Sequence, residues 1–113
     1  MKPSIVIVVP CYNEEEILNV TIPTLLSTID DMASENIIDY EKSGLCLVDD
    51  GSQDKTWSII TNYSNKYEKV NGLKLSCNKG HQAALFAGLM ESMDNFDATI
   101  SIDADLQDDP SKI

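Results

Sequence analysis

Short apolar runs alternate along this chain with segments of helical period. Ile5-Val6-Ile7-Val8-Val9 is an unbroken β-branched run, the pattern of a strand buried on both faces, and Pro10 is expected to end it. Asn13 to Glu16 are polar and acidic and suit the opening of a helical turn. Leu18, Ile22, Leu25, Ile29 and Met32 then recur at spacings of four and three, which places them on one helix face. Pro23 interrupts that face: either the helix kinks there, or a second helix starts with Pro23 in its first position. A polar connection from Ser34 to Ser43 leads to a second strand, Leu45-Cys46-Leu47-Val48, which ends in Asp49-Asp50-Gly51-Ser52. Ser52 or Asp54 is placed to cap a further helix carrying Trp57, Ile60, Tyr63 and Tyr67 towards a core. Val70 to Leu75 reads as a third strand and Asn78-Lys79-Gly80 as a turn. Gln82 to Met93 is a helix, apolar over much of its circumference and therefore expected to be well buried. Ala98 to Ile102 is a fourth strand, also expected to be buried, and it runs into Asp103-Ala104-Asp105.

Strands that alternate with helices imply right-handed crossovers and a parallel sheet, so the fold class is α/β. The 113 residues allow one domain. In an open parallel sheet the carboxyl ends of all strands share one edge, and ligands bind there. Three polar segments converge on that edge: Pro10 to Glu16, Asp49 to Asp54, and Asp103 to Asp108.

Charge narrows the function. The net charge is −11, and all eight basic residues are lysines. Binding to a nucleic-acid backbone needs a basic surface, so nucleic acid is excluded as a partner. A phosphorylated small ligand would also be repelled, unless a divalent cation sat between its oxygens and the protein's carboxylates. Much of the acidity has an ordinary reading as solvated surface. Cys11, Cys46 and Cys77 are odd in number and lack C-x-x-C spacing, so they are expected to be reduced thiols of a cytosolic protein. The first apolar run is too short for a signal peptide, and no stretch approaches the ~18 apolar residues of a membrane span. The chain as given is expected to be soluble. A new helix begins as the sequence reaches Pro110-Ser111-Lys112-Ile113, so residues 1–113 are expected to be part of a longer protein.

Asp103 and Asp105 lie two positions apart on a turn after a strand, a spacing that can aim two carboxylates at one hard cation, with Gln107 adding a neutral oxygen. The same spacing also occurs in plain acidic loops. Asp49 and Asp50 together are more than helix capping needs, and a carboxylate there can accept hydrogen bonds from a base N–H or a ribose. Tyr12 is suited either to stack on a base or to cover the edge of the core. His81, the single histidine, opens a helix, where imidazolium is disfavoured. It suits hydrogen bonding to phosphate or sugar better than base chemistry, and it equally suits simple capping.

Four motifs stand in order: Val9-Pro10-Cys11-Tyr12-Asn13-Glu14-Glu15; Val48-Asp49-Asp50-Gly51-Ser52 with Asp54 and Thr56; Asn78 with Gly80-His81-Gln82, Ala84-Leu85 and Ala87-Gly88-Leu89; and Asp103-Ala104-Asp105-Leu106-Gln107-Asp108. With them the whole chain resembles the N-terminal part of family 2 glycosyltransferases. The third and fourth motifs are most similar to the branch that transfers a sugar to polyprenyl phosphate, such as bactoprenol and dolichol-phosphate glycosyltransferases. The resemblance implies the nucleotide-binding half of a GT-A domain, a Rossmann-like parallel sheet with flanking helices. It implies a nucleotide-sugar donor, leaning to a UDP-sugar, and a lipid-phosphate or glycan acceptor. It also implies inversion by direct displacement and a Mg2+ or Mn2+ cofactor. By position, Pro10, Tyr12 and Glu14 would line the base and ribose pocket, with Val48 and Asp50 at the nucleoside. Ala104 would contribute backbone. Asp103 would meet ribose or metal, and Asp105 and Gln107 would meet metal and diphosphate, Asp103 and Asp105 being the catalytic pair.

Two positions depart from the family pattern. Cys77 stands where an arginine is frequent, leaving any cationic contact to Lys79, and Asp109 intervenes before Pro110. The resemblance places the acceptor half, and any membrane helices at the cytoplasmic face, beyond Ile113. A sheet edge left free by their absence would offer a route to a homodimer. Two rivals compete with this reading. One is a nucleotide-binding module without catalysis. The other is a magnesium-binding phosphoacceptor domain, against which the acidic pair stands after the second strand instead of the first.

Overall fold

The computed structural model describes residues 2–92 and 95–104. Strands and helices alternate: β1 Ile5–Cys11, α1 Leu18–Ser34, β2 Gly44–Asp49, α2 Thr56–Lys66, β3 Val70–Lys74, α3 His81–Ser92 and β4 Ala98–Ser101. The four strands form one sheet in the order β3-β2-β1-β4, every pair parallel. The α/β class and the parallel sheet agree with the sequence expectation.

Side-chain alternation on the strands builds two cores. Ile5, Ile7, Val9 and Cys11 of β1 join Leu45 and Leu47 of β2 beneath α1 and α2, together with Leu18, Ile22, Leu25, Ile29 and Ile60. Val6 and Val8 join Cys46 and Val48 beneath α3, against Ala84. Both faces of β1 and β2 are covered, which explains their continuous apolar runs.

Three local expectations change, and one open alternative is decided. β1 continues through Pro10 to Cys11, with Pro10 opposite Val48. Val8 accepts a hydrogen bond from the Ile102 N–H and Cys11 one from the Asp50 N–H. Alternate residues face the same neighbour, so Pro10 faces the β4 side, beyond the last β1–β4 pair at Val8 and Ser101. Its missing N–H costs no ladder bond there. Of the two alternatives at Pro23, a second helix starting there is ruled out, since Pro23 lies inside the single helix α1. The helix α3 is half exposed, with Phe86 at 64% and Met90 at 54% exposure. Its sheet-facing side is small because an added Cβ on Gly88 would stand 2.5 Å from Val8 Cγ1 and 2.9 Å from Val48 Cγ2. The bulky apolar side chains are thereby turned outward. Finally, β4 has exposed Ala98, Thr99 and Ser101, because among the described residues it stands at the edge of the sheet with β1 as its one neighbour.

The chain steps outward from β1 to β2 to β3, then crosses back so that β4 lies on the other side of β1. That reversal at the carboxyl ends of β1 and β4 is the switch point where such sheets bind ligands.

Candidate functional site

A hollow of about 210 Å³ opens at the carboxyl end of β1 and β2, lined by Pro10, Cys11, Tyr12, Glu14, Asp50, Asn78, Gly80 and Ala84. A larger hollow of about 460 Å³ lies at the opposite edge, among Tyr40, Tyr67, Lys66 and Lys69. Size does not decide between them. The switch-point hollow is the one that collects strand ends and the segment before α3.

The two adjacent acids after β2 divide their work. Asp50 is 3% exposed; its Oδ1 accepts the Lys79 N–H at 2.7 Å and its Oδ2 the Gly80 N–H at 2.9 Å. Asp50 thus docks the segment before α3 onto the sheet edge while still lining the hollow. Asp49 is fully buried: its Oδ1 accepts the Ser52 N–H at 3.1 Å, and among the described residues its Oδ2 meets no hydrogen-bond partner. Asp49 thereby constrains the turn that follows β2. Gly51, at φ 73°, turns the chain between these acids and Ser52. A Cβ on it would stand 2.4 Å from the Asn78 backbone nitrogen, so the two loops touch backbone to backbone.

Neither proposed cap of α2 acts at the residue before the helix. Lys55 is the N-cap residue and makes no side-chain cap bond. Asp54 Oδ1 accepts the Thr56 N–H at 2.9 Å, so Asp54 holds the first helical amide from two residues back. Ser52 is engaged elsewhere, its Oγ accepting the Asn13 N–H at 2.8 Å. Burial raises the Asp54 pKa, but hydrogen bonds from the Thr56 hydroxyl and N–H and from the Glu15 N–H outweigh it and hold the carboxyl below its ordinary value. The Cys11 thiol is pushed far above the usual thiol range, first by burial and then by the charges of Glu14 and Asp49. Cys11 is therefore an inert wall of the hollow.

On the other side of β1, the Ile102 N–H donates to Val8 O and carries the chain past the last β4 pair to Asp103. The buried Thr21 hydroxyl of α1 donates to Ala104 O at 2.6 Å and fixes that turn. Asp103 is half-buried, Ala104 buried, and Val48 lies in the core beneath α3. Asp105 and Gln107 lie outside the described residues. Among the described residues no group of three or more His, Cys, Asp or Glu side chains is placed to hold a metal. Magnesium or manganese takes one or two protein carboxylates and completes its shell with phosphate oxygens and water, so Asp103 as the one described donor is compatible with such an ion. The three cysteines are free, and among the described residues no helix is long and apolar enough to cross a membrane.

Sequence reasoning placed Pro10, Tyr12, Glu14 and Asp50 at one edge, and the hollow brings them together. It missed Asn78 and Gly80 as lining residues and Thr21 as the support of Ala104. The single signal for the first two was the glycine and asparagine of a turn that ends in a helix.

The chain is 51% identical over 112 residues to the uncharacterised glycosyltransferase YkoT of Bacillus subtilis (strain 168), covering 99% of this chain and 33% of that protein. It is 36% identical over 108 residues to the undecaprenyl-phosphate 4-deoxy-4-formamido-L-arabinose transferase of Photorhabdus laumondii subsp. laumondii, covering 95% of this chain and 30% of that one. The chain thus spans about a third of the length of these relatives. Among solved structures, S. aureus TarS in complex with UDP superposes with a TM-score of 0.68 at 22% identity, over 90% of this chain and 27% of that one. The mannosyltransferase PcManGT of Pyrobaculum calidifontis in complex with GDP-Man and Mn2+ gives 0.62 at 22%, over 93% and 28%. These likenesses establish the α/β fold found in GT-A glycosyltransferases. The model of Glycosyl transferase family 2 matches residues 6–113, nearly the whole chain and every motif at the switch point, and to that family the chain belongs.

Proposed function

We propose that the whole protein is an inverting, metal-dependent glycosyltransferase that moves a sugar from a nucleoside-diphosphate sugar, a UDP-sugar, to polyprenyl phosphate. The observation that carries this reading is the hollow at the switch point, where Pro10, Tyr12, Glu14 and Asp50 meet beside the chain that leads to Asp103. Tyr12, 41% exposed at the rim, offers a face to the base, and Glu14 and Asp50 offer acceptors to base N–H and ribose hydroxyls. Val48 packs under this floor, and Ala104 supplies backbone held by Thr21.

Asp103, Asp105 and Gln107 would hold Mg2+ or Mn2+ with the donor's diphosphate, and the ion would neutralise charge on the departing group. In the displacement, an acceptor phosphate oxygen forms the bond to the anomeric carbon as the bond to the diphosphate breaks. The acceptor is already an anion, so no strong general base is required. Relatives named for undecaprenyl phosphate support the lipid acceptor, which would be met at the cytoplasmic membrane face. A neighbour holding UDP and another holding GDP-Man with Mn2+ support the donor class and the ion.

Calorimetric titration of UDP and GDP, with manganese and then with EDTA, tests the reading. Expected is metal-dependent binding of one diphosphate, UDP, abolished in Asp105→Ala. Failure of the full-length folded protein to bind either nucleotide refutes it.

A further inference from the structure

The loop from Tyr12 to Glu16 is bonded to the segment from Ser52 to Thr56, which follows β2 and opens α2. The Asn13 N–H donates to Ser52 Oγ at 2.8 Å and the Glu14 N–H to Thr56 Oγ1 at 2.8 Å. The Glu15 N–H donates to Asp54 Oδ2 at 3.2 Å. Bonds also run in the other direction: the Gln53 N–H donates to Asn13 Oδ1 at 2.8 Å, and the Lys55 N–H to Glu15 Oε2 at 3.3 Å. Within the second loop the Thr56 hydroxyl donates to Asp54 Oδ1 at 2.5 Å, and Asp49 holds the Ser52 N–H. Thr56 is fully buried, so its hydroxyl has these two partners and little competition from water.

This interlock restrains a backbone that would not otherwise hold its shape. Asn13 sits at φ 52°, in the left-handed region that asparagine tolerates better than most side chains, and its Oδ1 is tied to the second loop at Gln53. That turn lies between Tyr12 and Glu14, the two loop residues that line the hollow. Ser52, Asp54 and Thr56 do not line it. Their side chains reach the backbone of residues that do, or of residues next to them.

We propose that Ser52, Asp54 and Thr56 are positioning residues for the donor site, holding Tyr12 and Glu14 in the binding-competent arrangement before the nucleotide arrives. The inference rests on the nucleotide-sugar reading above. Without the interlock, Asn13 relaxes towards negative φ, and ligand binding must supply the ordering that the loop has lost.

Thr56→Val keeps the shape of this buried side chain and removes the hydroxyl. In the full-length protein, titrated with UDP and GDP in the presence of manganese, Thr56→Val should raise the Kd of whichever diphosphate binds by about tenfold, the loss of one or two hydrogen bonds. Thr56→Ser, which restores the hydroxyl, should return to within about twofold of wild type. Thr61→Val serves as the control: it removes a hydroxyl bonded to Trp57 O further along α2, and should leave Kd unchanged. Amide exchange at Glu14 should speed up in ligand-free Thr56→Val and not in Thr61→Val. If Thr56→Val fails to fold, Ser52→Ala at the half-exposed end of the interlock carries the same expectation for Kd. Wild-type affinity in Thr56→Val, or in Ser52→Ala where Thr56→Val does not fold, or losses in Thr56→Ser and Thr61→Val as large as that of Thr56→Val, overturns the positioning role alone. Absence of binding in the wild type removes the functional reading, and this inference with it.

Discussion

Gly51 and Gly80 form a matched pair for separating backbone strain from steric exclusion. Both have positive φ, 73° and 98°. Among the described residues a Cβ on Gly80 meets nothing within 4 Å, whereas a Cβ on Gly51 meets Asn78 N at 2.4 Å, Cys77 C at 2.5 Å and Cys77 Cα at 2.9 Å. Alanine at either position incurs the left-handed penalty of about 1–2 kcal/mol. At Gly51 the obstructing atoms are backbone and cannot rotate away, which adds about 1–3 kcal/mol for forced displacement. Gly51→Ala should therefore cost about 2–5 kcal/mol and Gly80→Ala about 1–2 kcal/mol. The atoms displaced by Gly51→Ala belong to the segment that presents the Lys79 and Gly80 amides to Asp50, so loss of stability and loss of the hollow should coincide. Equilibrium urea denaturation resolves the difference, since a slope of about 1–3 kcal/mol/M converts the gap into a midpoint shift on the order of 1 M. Equal midpoints for the two variants would refute the reasoning, because they would mean that the Cys77–Asn78 backbone yields without cost.

Other outcomes follow from the same geometry. The Asp54 carboxyl is held below its ordinary value, so its stabilising effect is complete above about pH 4–5 and is lost as pH falls through the lowered folded value; Asp54→Asn should remove this component from the acid limb of a stability–pH curve. At pH 8 iodoacetamide should label exposed Cys77 in the native protein and leave buried Cys11 and Cys46 intact; labelling of Cys11 at the Cys77 rate would contradict its burial and raised pKa. Leu25→Ala should cost about 2–5 kcal/mol, because Leu25 is fully buried between α1 and the sheet, while Phe86→Ser on the outward face of α3 should stay within about 0.5 kcal/mol. Paired urea denaturations check both, and a large loss at Phe86 would mean that α3 is covered.

The parallel sheet was legible because an unbroken β-branched run as short as Ile5–Val9 suits a strand buried on both faces and not a helix, while the spacing of three and four over Leu18–Met32 is helical. Convergence of Pro10, Tyr12, Glu14 and Asp50 was legible because topology alone brings strand ends together. The exposure of α3 was not, since an apolar helix reads as buried, and the Gly88 approach that turns Phe86 outward depends on Val8 and Val48 far away in the sequence. The course of β1 through Pro10 was hidden for a related reason. A proline ends a strand or not according to which neighbour its missing N–H faces, and that neighbour, β4, lies some ninety residues downstream. The separate tasks of Asp49 and Asp50 were equally invisible. Adjacent residues on a strand point to opposite faces, but which face carries the ligand is a tertiary fact.

The pairing of β1 with β4 also fixes a timetable. Ser4 and Asp97 meet across 93 positions of chain, so of the four described strands β1 leaves the ribosome before the others and receives β4 after they have all emerged. At about 5–20 residues per second, one edge of Ile5–Val9 stays unpaired for seconds after β2 has docked on the other. That edge is a β-branched, uncharged ribbon, the kind of segment that recruits other unfinished chains. Among the described strands the β1–β4 pairing at the switch point is therefore the last to come into being, and the strand that will floor the hollow is the one most in need of protection until then.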